Sequence, residues 1–332
     1  MSLTWRAWAF QERLLSPRVL NITSLDWVLE CDAVTVYEGG PDSHESRLDL
    51  ANKRLVYDTR QTWSRVNAYQ SWIRIVEEYS SKQLSYETDR LPALSGLAAI
   101  MEHRTGDEYS AGLWKGDLVY GLLWSCTDNF PRTPPMYLAP SWSWASILNE
   151  VVFHSAPRHF YNLEVINVQK QLSTSNPFGE ISSASLTVPA SLKFFQCHAL
   201  RPHLWLTRTH TLEYTTPTSE ARVVMFIMFD HSWYPRLGED DVWFLACTSD
   251  QSIGNADFHS HHKNFEHRSA YRSTDTSPTQ FWPHHAHGLV LEHSCDETAM
   301  YKRIGIFQIE RVSGTQKDWH HLGFISTTVT II

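Results

Sequence analysis

Apolar positions recur every three or four residues along the first 130 positions and every two thereafter, and that change of period divides the chain. Trp5, Trp8, Ala9, Glu12 and Leu15 share helical spacing, with Thr4 placed to cap the helix and Ser16-Pro17 to stop it. Residues 18–23 alternate as a strand, Leu20 and Ile22 on one face, Val19 and Asn21 on the other. Residues 27–31 read as a second strand, with Ser24-Leu25-Asp26 as the turn. Polar residues 38–52, holding Gly39-Gly40-Pro41, read as a loop. A long helix is predicted over 59–80, its stripe formed by Trp63, Val66, Tyr69, Ile73, Val76 and Tyr79 and widened by Trp72. Another follows over 91–103, with Asp89 at its head, Pro92 in its first turn, and Leu94, Leu97, Ala98 and Met101 inward. A short one over 117–125 turns Leu118, Leu122 and Leu123 inward.

Pro131, Pro134, Pro135 and Pro140 leave little room for helix, and the segments beyond them have strand character. Strands are expected over 151–154, 161–169, 185–189, 192–197, 222–229, 242–247, 288–292, 301–309 and 324–332, with polar stretches at 172–176 and 250–278. The reading is an α+β fold: a helix-strand-strand unit over 1–35, a helical region over 53–130, and an antiparallel β-rich domain, sandwich or barrel-like, over 135–332.

Composition narrows the function. The 332 residues, 42% apolar with 14 Trp and 15 Phe, can bury a large core. A net charge of −8 with no Lys/Arg block argues against nucleic-acid binding. The five cysteines are scattered without a CxxC, which fits a reducing, cytoplasmic setting. The first residues lack the apolar run of a signal peptide, and the longest strongly apolar run, 223–229, is too short to span a bilayer.

Candidate chemistry is thin. There is no GxGxxG or Walker-type loop, no GxSxG and no HExxH. Eight histidines fall between His259 and His293. Among them His259, His261, His284 and His287 are the candidate metal ligands, but their spacing matches no recognised ligand pattern and no cysteine joins them, so a solvated loop is the expectation. Ser141-Trp142-Ser143-Trp144-Ala145-Ser146 alternates with the period of a strand, which would put both indoles on one face, as core or as a platform for a ligand. Glu12, in Gln11-Glu12-Arg13, is the single candidate acid or base. A carboxylate without a partner reads more simply as a helix-packing group.

Taken together, these segments resemble a known family. Residues 6–20, RAWAFQERLLSPRVL, resemble the closing block of the fungal heterokaryon-incompatibility (HET) domain, close to RAWTLQERLLSPRVL, with Ala9-Phe10 in place of Thr-Leu. DRLPALSGLA at 89–98, AGLW at 111–114, PSWSWAS at 140–146 and YKRIGIF at 301–307 resemble segments found after that block in such proteins, and they stand here in family order. The motif residues are Arg6, Trp8, Gln11, Glu12, Arg13, Ser141, Trp142, Ser143 and Trp144. The family's domain opens with a strand-rich block near YxxLSYxWG that this sequence lacks, so the resemblance implies the tail of a HET domain and the region after it. It also implies a role in non-self recognition and programmed cell death. The complete domain is similar to Toll-receptor-type domains, some of which cleave NAD, but no NAD-site residue carries over. The expectation is a protein acting through protein partners or self-association, with no catalysis, cofactor or essential metal of its own. Trp5, Trp8 and Phe10 would be its docking surface. Two alternatives remain: NAD or nucleotide chemistry in a complete protein, and a β-domain that takes a sugar or small ligand.

Overall fold

The computed structural model describes residues 5–22, 27–31, 35–39, 64–128, 132, 134–154, 165–196, 200–202, 209–215, 222–230, 241–246, 287–294, 300–312 and 324–332. The architecture is α+β. It opens with helix α1 (Ala7–Leu15) and an antiparallel sheet of β1 (Arg18–Ile22), β2 (Trp27–Cys31) and β3 (Thr35–Tyr37). Thr4 and the expected 24–26 turn lie outside the described residues. The buried face of α1 is Ala7, Phe10, Gln11 and Leu14, not the Trp5–Trp8–Glu12 stripe. Two helical stripes interleave here, and the one holding a glutamine goes inward because Gln11 Oε1 accepts the Gly96 N–H at 2.7 Å.

Helix α2 (Arg65–Ser80) begins at Ser64, whose hydroxyl accepts the Asn67 N–H. Residues 59–63 of the expected helix, Trp63 included, lie outside the described residues. Tyr69, Trp72, Val76 and Tyr79 are buried as the stripe requires, whereas Val66 is exposed and Ile75 takes the place given to Ile73. The segment after it is two 3₁₀ turns, Glu87–Arg90 and Pro92–Leu94, before helix α3 (Ser95–Thr105) starts. Leu94, Leu97, Ala98 and Met101 are all buried, and Gly106, at φ 61, ends α3 in the left-handed region that glycine adopts at little cost.

Strands appear earlier than the proline cluster. A two-residue hairpin joins β4 (Tyr109–Ser110) to β5 (Leu113–Trp114) through Ala111 and Gly112, at φ 51 and 91, the positive values that a type I′ turn needs at both central residues. The expected helix over 117–125 is one turn, α4 (Leu118–Gly121), followed by β6 (Trp124–Cys126), which pairs with β7 (Val151–Phe153).

Beyond residue 150 every described element is a strand. These are β8 (Asn167–Leu172), β9 (Ile181–Gln196), β10 (Leu200–Pro202), β11 (Thr209–Thr215), β12 (Arg222–Phe229), β13 (Asp241–Ala246), β14 (His287–His293), β15 (Met300–Val312) and β16 (Ile325–Ile331). The two strands expected over 185–197 are one continuous β9, and β10 and β11 had no counterpart in the sequence pattern. All nine join one sheet. Its pairings run β15–β14–β13–β9–β16 and return from β16 to β15 through Met300↔Thr330 and Tyr301↔Ile331, so this part closes on itself as a barrel. β12, β11 and β10 extend from β15 as a wing, and β8 lies on β9 alone. One hydrophobic cluster runs from Ala7 through Trp72, Trp142 and Trp144 to Ile306 and Ile331, continuous across the proline cluster.

Candidate functional site

The segments that carry the family resemblance are far apart in sequence, and the fold brings them together. From α1, Trp8 Nε1 donates to Asp89 Oδ2 at 2.8 Å and Gln11 accepts from Gly96, so the first motif is tied to DRLPALSGLA at two points. Arg13 Nε donates to both Glu30 oxygens at 3.0 and 3.2 Å, and Asn21 Nδ2 donates to the same carboxylate at 2.7 Å, which pins α1 to the inner face of the β1–β2–β3 sheet. Glu12 is exposed and takes no part in this. Arg6 is exposed too, with its backbone bridged to Gln83. The structure thus gives the work of Gln11-Glu12-Arg13 to the amide and the guanidinium and none to the candidate acid.

The SWSWAS string is not a strand. Ser143 Oγ accepts the Ala145 N–H and caps a 3₁₀ turn over Trp144–Ser146. A hydroxyl that bonds locally offers the backbone an alternative to a sheet ladder. Both Trp142 and Trp144 are fully buried, so the core reading holds and the ligand-platform reading fails. Trp144 and Trp72 donate their indole N–H groups to one acceptor, the Gly112 carbonyl, at 3.0 and 2.8 Å. Ser143 Oγ donates to the Ala111 carbonyl. The AGLW hairpin is therefore the hub on which the string rests. Arg90, wholly buried, sits 5.4 Å from the Trp144 ring centre and donates from Nη2 to the Asn149 carbonyl. Burial pulls its guanidinium below the ordinary arginine range.

The last motif closes the circuit. Ser141 Oγ donates to the Ile332 carbonyl and accepts the Arg303 N–H at 2.9 Å. The Arg303 guanidinium pairs with Asp230, donates to the Trp124 carbonyl and lies 3.6 Å from the Trp124 ring centre. The motif segments are linked from the helical region to the barrel by hydrogen bonds and by the Arg90–Trp144 ring contact.

Three other features carry chemistry that the sequence pattern did not single out. The outer face of the β1–β2–β3 sheet is apolar and bare. The registers Leu20↔Leu29, Ile22↔Trp27 and Leu29↔Val36 put these five side chains on one face, with Ile22 77% and Leu20 55% exposed. Trp5 and Trp8 are also exposed, but Phe10, expected beside them, is in the core against Tyr79. A groove of about 800 Å3 lies between residues 134–141 and the β8–β9 hairpin, with Asp230 and Arg303 in its lining. Finally, Ser125 Oγ and His154 Nε2 are 2.6 Å apart, both buried. Neither lines the groove, so the pair reads as a bond between neighbouring strands.

Of the candidate metal ligands, His259, His261 and His284 lie outside the described residues, and His287 is buried in β14. Among the described residues no group of three or more His, Cys, Asp or Glu is arranged to hold a metal, and no helix is long and apolar enough to cross a membrane. No protein-family model, curated protein or solved structure was found to match the chain.

Proposed function

We propose that this chain is a HET-family protein, its helices and barrel placed after the tail of the HET domain, and that it works by protein contact through the outer face of the β1–β2–β3 sheet. The observation that carries the contact reading is that face. Leu20, Ile22, Trp27, Leu29 and Val36 are contiguous, large and exposed. Large apolar side chains gathered on one exposed face, unlike ones scattered singly, point to a contact surface. The family reading is supported by five motif segments that occur in order in the sequence and contact one another in turn in the fold. A role in non-self recognition and cell death in the cytoplasm follows from that resemblance.

The occupant is a second copy of the chain. Each copy carries a net charge of −8, which opposes self-association, so two copies can meet only through a face that brings little further like charge together. The sheet face is largely of that kind: among the described residues its charged members are Arg18 at one edge and Glu38, opposite Trp27, at the other. Two such faces packed against each other make a two-layer sandwich with interdigitating apolar side chains. The experiment is sedimentation velocity over a concentration series. Dimers that dissociate on dilution are expected, and the Leu20→Lys plus Ile22→Lys variant, still folded by circular dichroism, is expected to be monomeric throughout. A parent that stays monomeric at high concentration, or a variant that dimerises as tightly as the parent, overturns the reading.

A further inference from the structure

The groove beside β8 has two unlike walls and an unbalanced charge. Met136, Tyr137 and Leu138 form an apolar side, with Met136 and Tyr137 half exposed toward solvent. Gln169, Gln171 and Ser185, on β8 and β9, form a polar side rich in donors and acceptors. Its volume of about 800 Å3 is that of a small-molecule site. Asp230 is its one acidic lining residue and is paired with Arg303. Lys170 and Lys302 complete the charged lining. Lys170 gives one N–H to the Tyr109 carbonyl, and an ammonium has two more to offer. Lys302 is exposed. Glu292 faces it across the β14–β15 register but lies outside the lining.

We propose that this groove binds an organic anion with a flat apolar body, its anionic group held by Lys170 and Lys302 and its body against Met136 and Tyr137. The charge contrast favours this class. In a chain of net charge −8, a cleft whose own lining carries an excess of two positive groups draws anions in and repels cations. A metal ion finds no carboxylate here that is not already paired with arginine. A neutral sugar would leave the Lys302 ammonium, and the N–H groups of Lys170 not given to Tyr109, without an anion as it displaced their water. Tyr137 serves the body of the ligand as a neutral ring. Burial raises its phenol to about 12, far from ionising at neutral pH.

The probe is 8-anilinonaphthalene-1-sulfonate, an aryl sulfonate, titrated into the full chain at low salt and followed by fluorescence, with neutral N-phenyl-1-naphthylamine as the uncharged analogue. One saturable site is expected. Lys302→Glu, a change at an exposed position, is expected to weaken sulfonate binding about tenfold, since a favourable contact becomes a repulsive one. The neutral dye should bind that variant as it binds the parent. Because the sulfonate also lights up bare apolar surface, Ile22→Lys is the control, and it should leave the groove site intact. Sulfonate affinity that is unchanged in Lys302→Glu overturns the proposal. So does a signal lost in Ile22→Lys alone, which would place the dye on the sheet face.

Discussion

The guanidinium carbon of Arg303 lies 3.6 Å from the centre of the Trp124 indole, and the same guanidinium donates to the Trp124 carbonyl. Arg303 belongs to the barrel and Trp124 to the short sheet that closes the helical region, so this side chain is one of the links between the two parts. It is fully buried and paired with Asp230. Three demands meet in that one residue: a flat cation for the ring, a fork for the carboxylate, and a donor for the carbonyl. Lysine meets none of them as well.

Replacing Arg303 with Met is therefore expected to cost about 3–5 kcal/mol in denaturant unfolding, because a buried carboxylate loses its guanidinium. Asp230→Asn in the same chain should recover part of that loss. A double variant that falls by the full sum of the two single changes would show the pair to be uncoupled.

Trp142 and Trp144 are each expected to cost about 3–5 kcal/mol on replacement with Ala, as for large aromatics lost from cores. Gly112→Ala tests the same hub from the other side. A Cβ there would fall 2.5 Å from Trp144 Nε1 on a backbone at φ 91, so both a clash and backbone strain oppose it. A loss above about 1 kcal/mol is expected. Thermal melts check all three, and a Gly112→Ala chain as stable as the parent would mean that the hairpin shifts freely and is no hub.

The burial of the two tryptophans was legible, because few environments other than a core take so much aromatic surface. Their conformation was not. Alternating Ser and Trp has the period of a strand, yet Ser143 bonds to Ala145 and Ala111 and folds the string into a turn instead. The α1 helix shows the same limit. Its position was readable from Ser16-Pro17, but Trp5, Trp8 and Leu15 compete with Phe10 and Leu14 in apolar character, and the long-range partners Tyr79 and the Gly96 N–H, which no local pattern shows, go with the second stripe. The change from helix to strand was visible at the prolines, although the short β4, β5 and β6 precede them. The groove had no local signature at all. Met136, Gln169, Ser185 and Lys302 meet through pairings of β8, β9 and β15 that no window of sequence contains.

Glu12 and Glu30 separate the candidate acid from the structural one. Glu30 is buried and held by Arg13 and Asn21, so Glu30→Gln is expected to cost about 1.5–3 kcal/mol, the worth of hydrogen bonds to a charged group. Glu12 is exposed, and Glu12→Ala should stay within about 0.5 kcal/mol of the parent. The chain alone is expected to release no nicotinamide from NAD. Turnover that Glu12→Ala abolishes would refute this and make the carboxylate catalytic.

Lys193, on β9, gives the stability a dependence on alkaline pH. Its ammonium lies 5.2 Å from the Phe195 ring centre, a contact that favours the charge. Burial opposes it and wins, lowering the group from 10.5 to about 8. Below pH 8 both folded and unfolded chains hold the proton, and the folded state bears the full cost of a partly buried charge. Between pH 8 and 10.5 the folded state has released the proton while the unfolded state still binds it. The unfolded state then carries more protons, so this group's contribution to stability rises with pH. Above that window both states are neutral and the contribution levels off. Lys193→Met removes the charge at every pH. The variant is therefore expected to melt above the parent at pH 7.5, and its advantage is expected to shrink as the pH approaches 10. Other groups titrate over the same range in both chains, so the measured quantity is the difference between the two melting temperatures. A difference that does not change from pH 7.5 to 10 would mean that Lys193 keeps its ordinary affinity for the proton in the fold. The ring contact would then be the stronger influence.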